Sequence, residues 1–131
     1  MYEHETQADQ YPALPCSEIV YRGMRSRRWL DPTRENVLPA AFFRRPNETD
    51  GLSVNPSSEC DIKYVRELLN PCHGVVSLHV GRVRDLGLEV EQDESKHACI
   101  KGLPYQDEDP LQAERLAGQL AKQARIQWLP D

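Results

Sequence analysis

The chain has no apolar run approaching the roughly 20 residues that a membrane-spanning helix requires. Its opening, MYEHETQADQ, is acidic and polar where a signal or transit peptide would be basic and apolar. A cytoplasmic location with no membrane contact is therefore expected. Cys16, Cys60, Cys72 and Cys99 include no CxxC pair, so the knuckle that structural zinc favours is missing. Without an export signal the thiols are expected to stay reduced and to pack as small apolar groups. Two short pairings, Cys72-His73 and His97-x-Cys99, do not complete a ligand set, and neither a metal nor another cofactor is expected. P-loop and G-x-G-x-x-G patterns are absent, which argues against P-loop nucleotide hydrolysis and dinucleotide oxidoreduction. No G-x-S-x-G elbow surrounds any serine.

What is present is a chain of 131 residues, 39% hydrophobic and 28% charged, enough for one domain around a modest core. Its net charge of −5 is unevenly spread. Between Tyr21 and Pro46 stand seven arginines against only Asp31 and Glu35, while acids gather at Glu89 to Glu94 and Asp107 to Asp109. An acidic remainder disfavours bulk nucleic acid but leaves room for a local anion site beside the arginines.

Residues 1–16 carry Pro12 and Pro15 and no periodicity, and are expected to form a mobile tail before a single domain over 17–131. Ser17 to Met24 reads as a strand, as does Val37 to Arg45 around Phe42 and Phe43. Pro46 to Gly51 is a turn, and Leu52 to Val54 a short strand. A helix capped by Ser57 or Ser58 follows, with Ile62, Val65, Leu68 and Leu69 on one face. Val76, Leu78 and Val80 alternate with Val75, Ser77 and His79 in the clearest strand. Gly81 to Leu86, with Arg82 and Arg84, reads as a turn, Leu88 to Val90 as a strand, EQDESK as a polar loop and His97 to Ile100 as the last strand. Asp109, Pro110 and Gln112 open a helix whose apolar face runs from Ala113 to Trp128. The order predicts an α+β fold: a small mixed or antiparallel sheet of five or six strands, two helices, and the C-terminal helix packed on the sheet.

The central stretch AAFFRRPNETDGLSV holds both phenylalanines, Arg44, Arg45 and Ser53. Guanidinium groups suit phosphate and carboxylate through forked hydrogen bonds. Arg22, which precedes Gly23, is therefore a candidate anion ligand together with Arg44 or Arg45. The alternative for these arginines is ion pairing with Glu48, Asp50 or the acidic loops. His79 and His97 lie on or beside strands, and histidine is suited to proton transfer near neutral pH. They are candidate catalytic groups with Ser53; the alternative is that each bonds a backbone carbonyl.

The segments YRGMRS, AFFRRPNETDGLSV, SLHVGRVRDLGLEV, HACIKGLP and AERLAGQLAKQARI, across residues 18–126, resemble a family of small uncharacterised bacterial proteins. The chain also bears a looser likeness to ADP-ribosyltransferase-like and RES-type toxin domains that bind NAD. That likeness implies that Arg22 matches an arginine on the first strand and Ser53 a serine on a later one. It has no sequence counterpart of the later catalytic glutamate, so His97 would take part of that role. The expectation is a bacterial domain that binds an anionic, nucleotide-like small molecule through an arginine/histidine cleft, with NAD or phosphoribosyl chemistry as an extension. The competing expectation is a non-catalytic adaptor or antitoxin-like protein whose acidic surface meets a basic protein partner.

Overall fold

The apolar runs around Val20, Val54, Val76 and Ile100 pair with one another as antiparallel strands in a computed structural model that describes residues 11–131. The strands are β1 (Ile19–Gly23), β2 (Leu52–Pro56), β3 (Val75–His79), β4 (Glu89–Glu94), β5 (His97–Lys101) and β6 (Arg125–Trp128). They form one six-stranded sheet in the order β4-β5-β2-β1-β3-β6. Three helices complete the fold: α1 (Ile62–Leu68), α2 (Val80–Arg84) and α3 (Pro110–Gln123). It is an α+β domain. Among the described residues no helix is long and apolar enough to cross a membrane.

Both faces of the sheet are covered. Val20, Leu52, Val54, Val76, Leu78, Ala98 and Ile100 form the main core with Phe42 and the buried stripe Leu116, Ala117 and Leu120 of α3. The opposite face holds a smaller cluster in which Val65 of α1 meets Val75 and Cys60, with Tyr21 and Trp128 alongside. Val75, assigned from its alternation to the less apolar face, is thus fully buried as well.

Several local expectations are corrected. Val37 to Arg45 is not a strand: Pro39–Phe42 is a single 3₁₀ turn, which seats Ala41 and Phe42 in the core. Pro39 sets φ for such a turn and removes a ladder donor, and this outweighs the strand propensity of the phenylalanines. The cap of α1 is Asp61, whose side chain accepts from Tyr64 N at 2.8 Å, so the helix starts later than the serines suggest. Arg82 and Arg84 belong to the short helix α2 rather than to a turn. β4 continues to Glu94 through the expected polar loop and turns directly into β5.

The C-terminal helix also ends early. Asp109 caps it as expected, accepting from Gln112 N at 3.2 Å, but Ala124 is extended and Arg125–Trp128 adds β6 to β3. Trp128 fits the apolar spacing of the helix, yet Ile126 and Trp128 stand half-buried in a strand that extends the sheet beside β3. Of the expected tail, residues 1–10 lie outside the described residues. Leu14 is buried in the main core, and Cys16 O accepts from Gly81 N at 2.9 Å.

One irregularity positions the site. β1 pairs with β2 only at Val20↔Pro56 and Tyr21↔Asn55, while β1 continues with β3 and β2 continues with β5. The sheet therefore parts at its centre, beyond Tyr21 and Asn55.

Candidate functional site

Arg22 fills the parting. It shares the strand parity of Val20 and Met24, so its stem points into the main core. Its Nε donates to Ala41 O at 2.7 Å, and its Nη1 donates to Ser53 O at 2.7 Å and to Glu48 Oε2 at 3.2 Å. The Trp29 ring lies 5.4 Å from its guanidinium carbon. Burial lowers the pKa of Arg22 from the ordinary arginine value, and the Glu48 carboxylate opposes that shift.

Glu48 is the partner that sequence reasoning underrated. The sequence suggests only a surface counter-ion there, yet the Glu48 side chain is 8% exposed. Oε2 also accepts from Ser53 N at 2.8 Å, and Oε1 accepts from Arg45 N at 2.8 Å. The turn residues of Pro46 to Gly51 thus fold back around one buried carboxylate. Gly51 makes this return possible: its φ is 142°, and a Cβ there would stand 2.6 Å from Ile100 O.

On the far side of β2 lies a hydrogen-bonded relay. Ser53 pairs with Cys99 across the β2–β5 ladder, so His97 is its diagonal neighbour on the same face. Ser53 Oγ is 2.6 Å from His97 Nε2, and His97 Nδ1 is 2.7 Å from Asp93 Oδ1. An ionised carboxylate only accepts, so Nδ1–H donates to Asp93 and Nε2 is left to accept the Ser53 hydroxyl proton. Asp93 reaches His97 because of a bulge: Gln92 pairs with Ala98 and Glu94 with His97, which leaves Asp93 as the extra residue. Bulges re-aim side chains in this way. A polar stretch read as a loop concealed that geometry.

Cys99 sits beside the relay, its Sγ 3.5 Å from Asp93 Oδ2. Burial, with Asp93 adding to it, pushes the Cys99 thiol up to about 12. It is therefore a protonated thiol near neutral pH, and Ser53 is the better-activated nucleophile of the two.

Two cavities share Ser53, His97, Glu48 and Arg25 in their walls. One, about 170 Å³, is bounded by Arg45, Asp50, Gly51, Asp93 and Cys99; the other, about 260 Å³, by Arg22, Gly23, Asn55, Val65, Leu68 and Leu69. Together they fall in the range of small-ligand sites, about 300–1,000 Å³. Among the described residues neither Arg25 nor Arg45 has a carboxylate within ion-pair distance of its guanidinium. Nothing local in the sequence marks Arg25 as facing a cleft.

The remaining candidates lie elsewhere. Arg44 is committed to backbone carbonyls, donating to Glu48 O at 2.8 Å, Thr49 O at 2.7 Å and Leu103 O at 3.0 Å, and it stacks on Tyr105. His79 is exposed opposite Ile19, at the end of β1 away from Arg22, and does not join His97. Among the described residues Cys60 and Cys72 stay outside the one cluster of ligand-type groups, Asp93, His97 and Cys99. On the acidic edge strand, Glu89 is paired with Arg84 at 2.6 Å and Glu91 lies 3.8 Å from Lys101.

No protein-family model matches the chain, and no curated protein or solved structure matches it. The site's chemistry therefore has to be read from its own geometry. A base oriented by a carboxylate and bonded to a hydroxyl is an arrangement for activating that hydroxyl or a water. Ser53 N–H, a natural oxyanion donor, is already taken by Glu48. The charge available to a ligand comes instead from Arg25 and Arg45.

Proposed function

We propose that the protein binds an anionic, nucleotide-like ligand in the paired cavities, and that His97 acts there as a general base. The carrying observation is the relay Asp93–His97–Ser53, with 2.7 and 2.6 Å contacts, opening beside two cations without a carboxylate partner among the described residues. Arg25 and Arg45 hold phosphate. The wall of Val65, Leu68 and Leu69 receives an apolar or flat group, and Leu68, 51% exposed, forms its lip. Arg22 and Glu48 act differently from a ligand-gripping pair: they fasten the strand that carries Ser53.

Reaction at the bound ligand extends the same reading. His97 Nε2 takes the proton of Ser53 or of a water held in its place; the resulting oxygen bonds to a ribosyl carbon between the apolar and anionic parts of the ligand, and the bond from that carbon to its base or pyrophosphate breaks, that group leaving with the electron pair. Cleavage of NAD or transfer of a phosphoribosyl group fits that division.

Calorimetric titration with pyrophosphate, ADP-ribose and NAD tests the assignment. Binding is expected, with Arg45→Ala and Arg25→Ala each weakening it at least tenfold and His79→Ala, at an exposed position at the end of β1 away from Arg22, leaving the affinity unchanged. Absence of binding by all three compounds at millimolar concentration, or unchanged affinity in the Arg25→Ala/Arg45→Ala double variant, would overturn it. Consumption of NAD that survives His97→Ala would remove the catalytic role.

A further inference from the structure

Cys99 is a buried sulfur that the proposed proton relay does not use, yet it is placed with two groups of that relay. β5 presents His97 and Cys99 on one face, two residues apart, and the β4 bulge brings Asp93 across to both. One ligand atom from each of Asp93, His97 and Cys99 lies within 4.8 Å of the others. We propose that these three side chains bind a zinc ion, and that the ion disengages His97 from Asp93.

The donor set is the first support. Thiolate, imidazole and carboxylate are all ordinary zinc ligands, at about 2.3, 2.0 and 2.0–2.2 Å. Tetrahedral angles at those lengths separate sulfur from oxygen by about 3.5 Å, and Cys99 Sγ stands 3.5 Å from Asp93 Oδ2. The imidazole Nδ1 lies 2.7 Å from the other oxygen of the same carboxylate, Asp93 Oδ1. Three protein ligands with an open fourth position is the pattern of reactive zinc sites, and the adjoining cavity of about 170 Å³ supplies room for that position.

Charge is the second support. Asp50, Asp93 and Cys99 line one cavity. A dication there draws the proton off a coordinating thiol, and the neighbouring carboxylates favour its charge. Asp50 adds a further carboxylate to the cavity and offsets part of the positive charge that Arg25 and Arg45 bring to it.

The proton balance gives the site its consequence. Zinc bonds to Cys99 Sγ with release of the thiol proton, and to His97 Nδ1, whose proton moves to Nε2. Nε2–H then donates to Ser53 Oγ instead of accepting from it. Ser53 can no longer hand its proton to His97, so the metal-loaded site is inactive as a base. This last step rests on the proposed relay; the metal site itself does not.

Cobalt(II) titration of the full chain, as a spectroscopic substitute for zinc, is the test. One equivalent is expected to bind with a thiolate-to-cobalt charge-transfer band that zinc bleaches. Cys99→Ser should abolish the band, and Asp93→Asn and His97→Ala should each weaken cobalt affinity at least tenfold. Circular dichroism checks that each variant is folded; if Cys99→Ser is not, the Asp93→Asn and His97→Ala titrations decide. A missing band, or one that survives Cys99→Ser or tracks Cys16, Cys60 or Cys72, overturns the site. A fluorophosphonate probe reads the second claim: labelling of Ser53 in the metal-free chain is expected to fall at least tenfold with zinc and return with EDTA. Labelling unaffected by bound zinc overturns the coupling. Failure of Ser53 to label without metal counts against the relay alone.

Discussion

Arg22→Met separates a fastening role for Arg22 from a ligand-gripping one. Methionine keeps an unbranched stem in the core but removes the guanidinium from Ala41 O, Ser53 O and Glu48. The Arg22 and Glu48 side chains are 6% and 8% exposed, so the remaining carboxylate is left nearly without water. Breaking a buried pair by removing one partner costs about 3–5 kcal/mol. With a urea m-value of about 1–2 kcal/mol/M, the midpoint should drop by ~1.5–5 M. The thermal midpoint should fall by ~10–20 °C. The double variant Arg22→Met/Glu48→Leu removes both charges and should be less destabilised than the two single changes combined, by about 2 kcal/mol or more. Urea unfolding followed by tryptophan fluorescence and circular dichroism measures all of these. A cost below about 1 kcal/mol for Arg22→Met, or strict additivity in the double variant, would refute the fastening role.

Three further outcomes are expected. Gly51→Ala should destabilise the fold by about 1–3 kcal/mol and disturb Ser53, since φ is 142° and the new Cβ would meet Ile100 O at 2.6 Å; an unchanged urea midpoint would contradict this. The Asp31 carboxylate accepts from Thr33, Glu35 and Asn36, and these bonds, Asn36 foremost, lower its pKa from 3.8 to about 2. A depressed carboxylate stabilises the fold above its unfolded value and loses that contribution as pH falls through its folded one. Carbon NMR of Asp31 should therefore give a midpoint near 2, and a midpoint near 4 would show the bonds are not formed in solution. Cys16 is exposed and Cys99 is buried with its thiol near 12, so iodoacetamide at pH 8 should modify Cys16 at least a hundredfold faster; comparable rates by peptide mass spectrometry would refute the protected state of Cys99.

Much of the fold was legible because it depends on short-range patterns. Alternation around Val76 and Leu78 gives β3, and Asp109-Pro110 with the Ala113–Leu120 stripe gives α3. The failures occurred where two local signals competed. Phe42 and Phe43 favour a strand, but Pro39 cannot donate in one; Trp128 fits a helical stripe but joins a strand that covers the open edge of β3. In the site, Ser53, His97 and Arg22 could be nominated by type and location. Asp93, Glu48 and Arg25 could not, because each sits among other polar residues and only its place in space distinguishes it.

The amino-acid sequence by itself determined an α+β chain with seven arginines concentrated between Tyr21 and Pro46 and a serine and histidine on separate strands. These follow from composition and from side-chain periods of two or 3.6 residues, which act over a few neighbours. Only the tertiary structure decided that β1 and β2 part beyond Tyr21, that Arg22 and Glu48 close the gap, and that a bulge aims Asp93 at His97. Those are consequences of strand register, which joins residues 26 and 44 positions apart and is selected by burial of the whole sheet rather than by any local stretch.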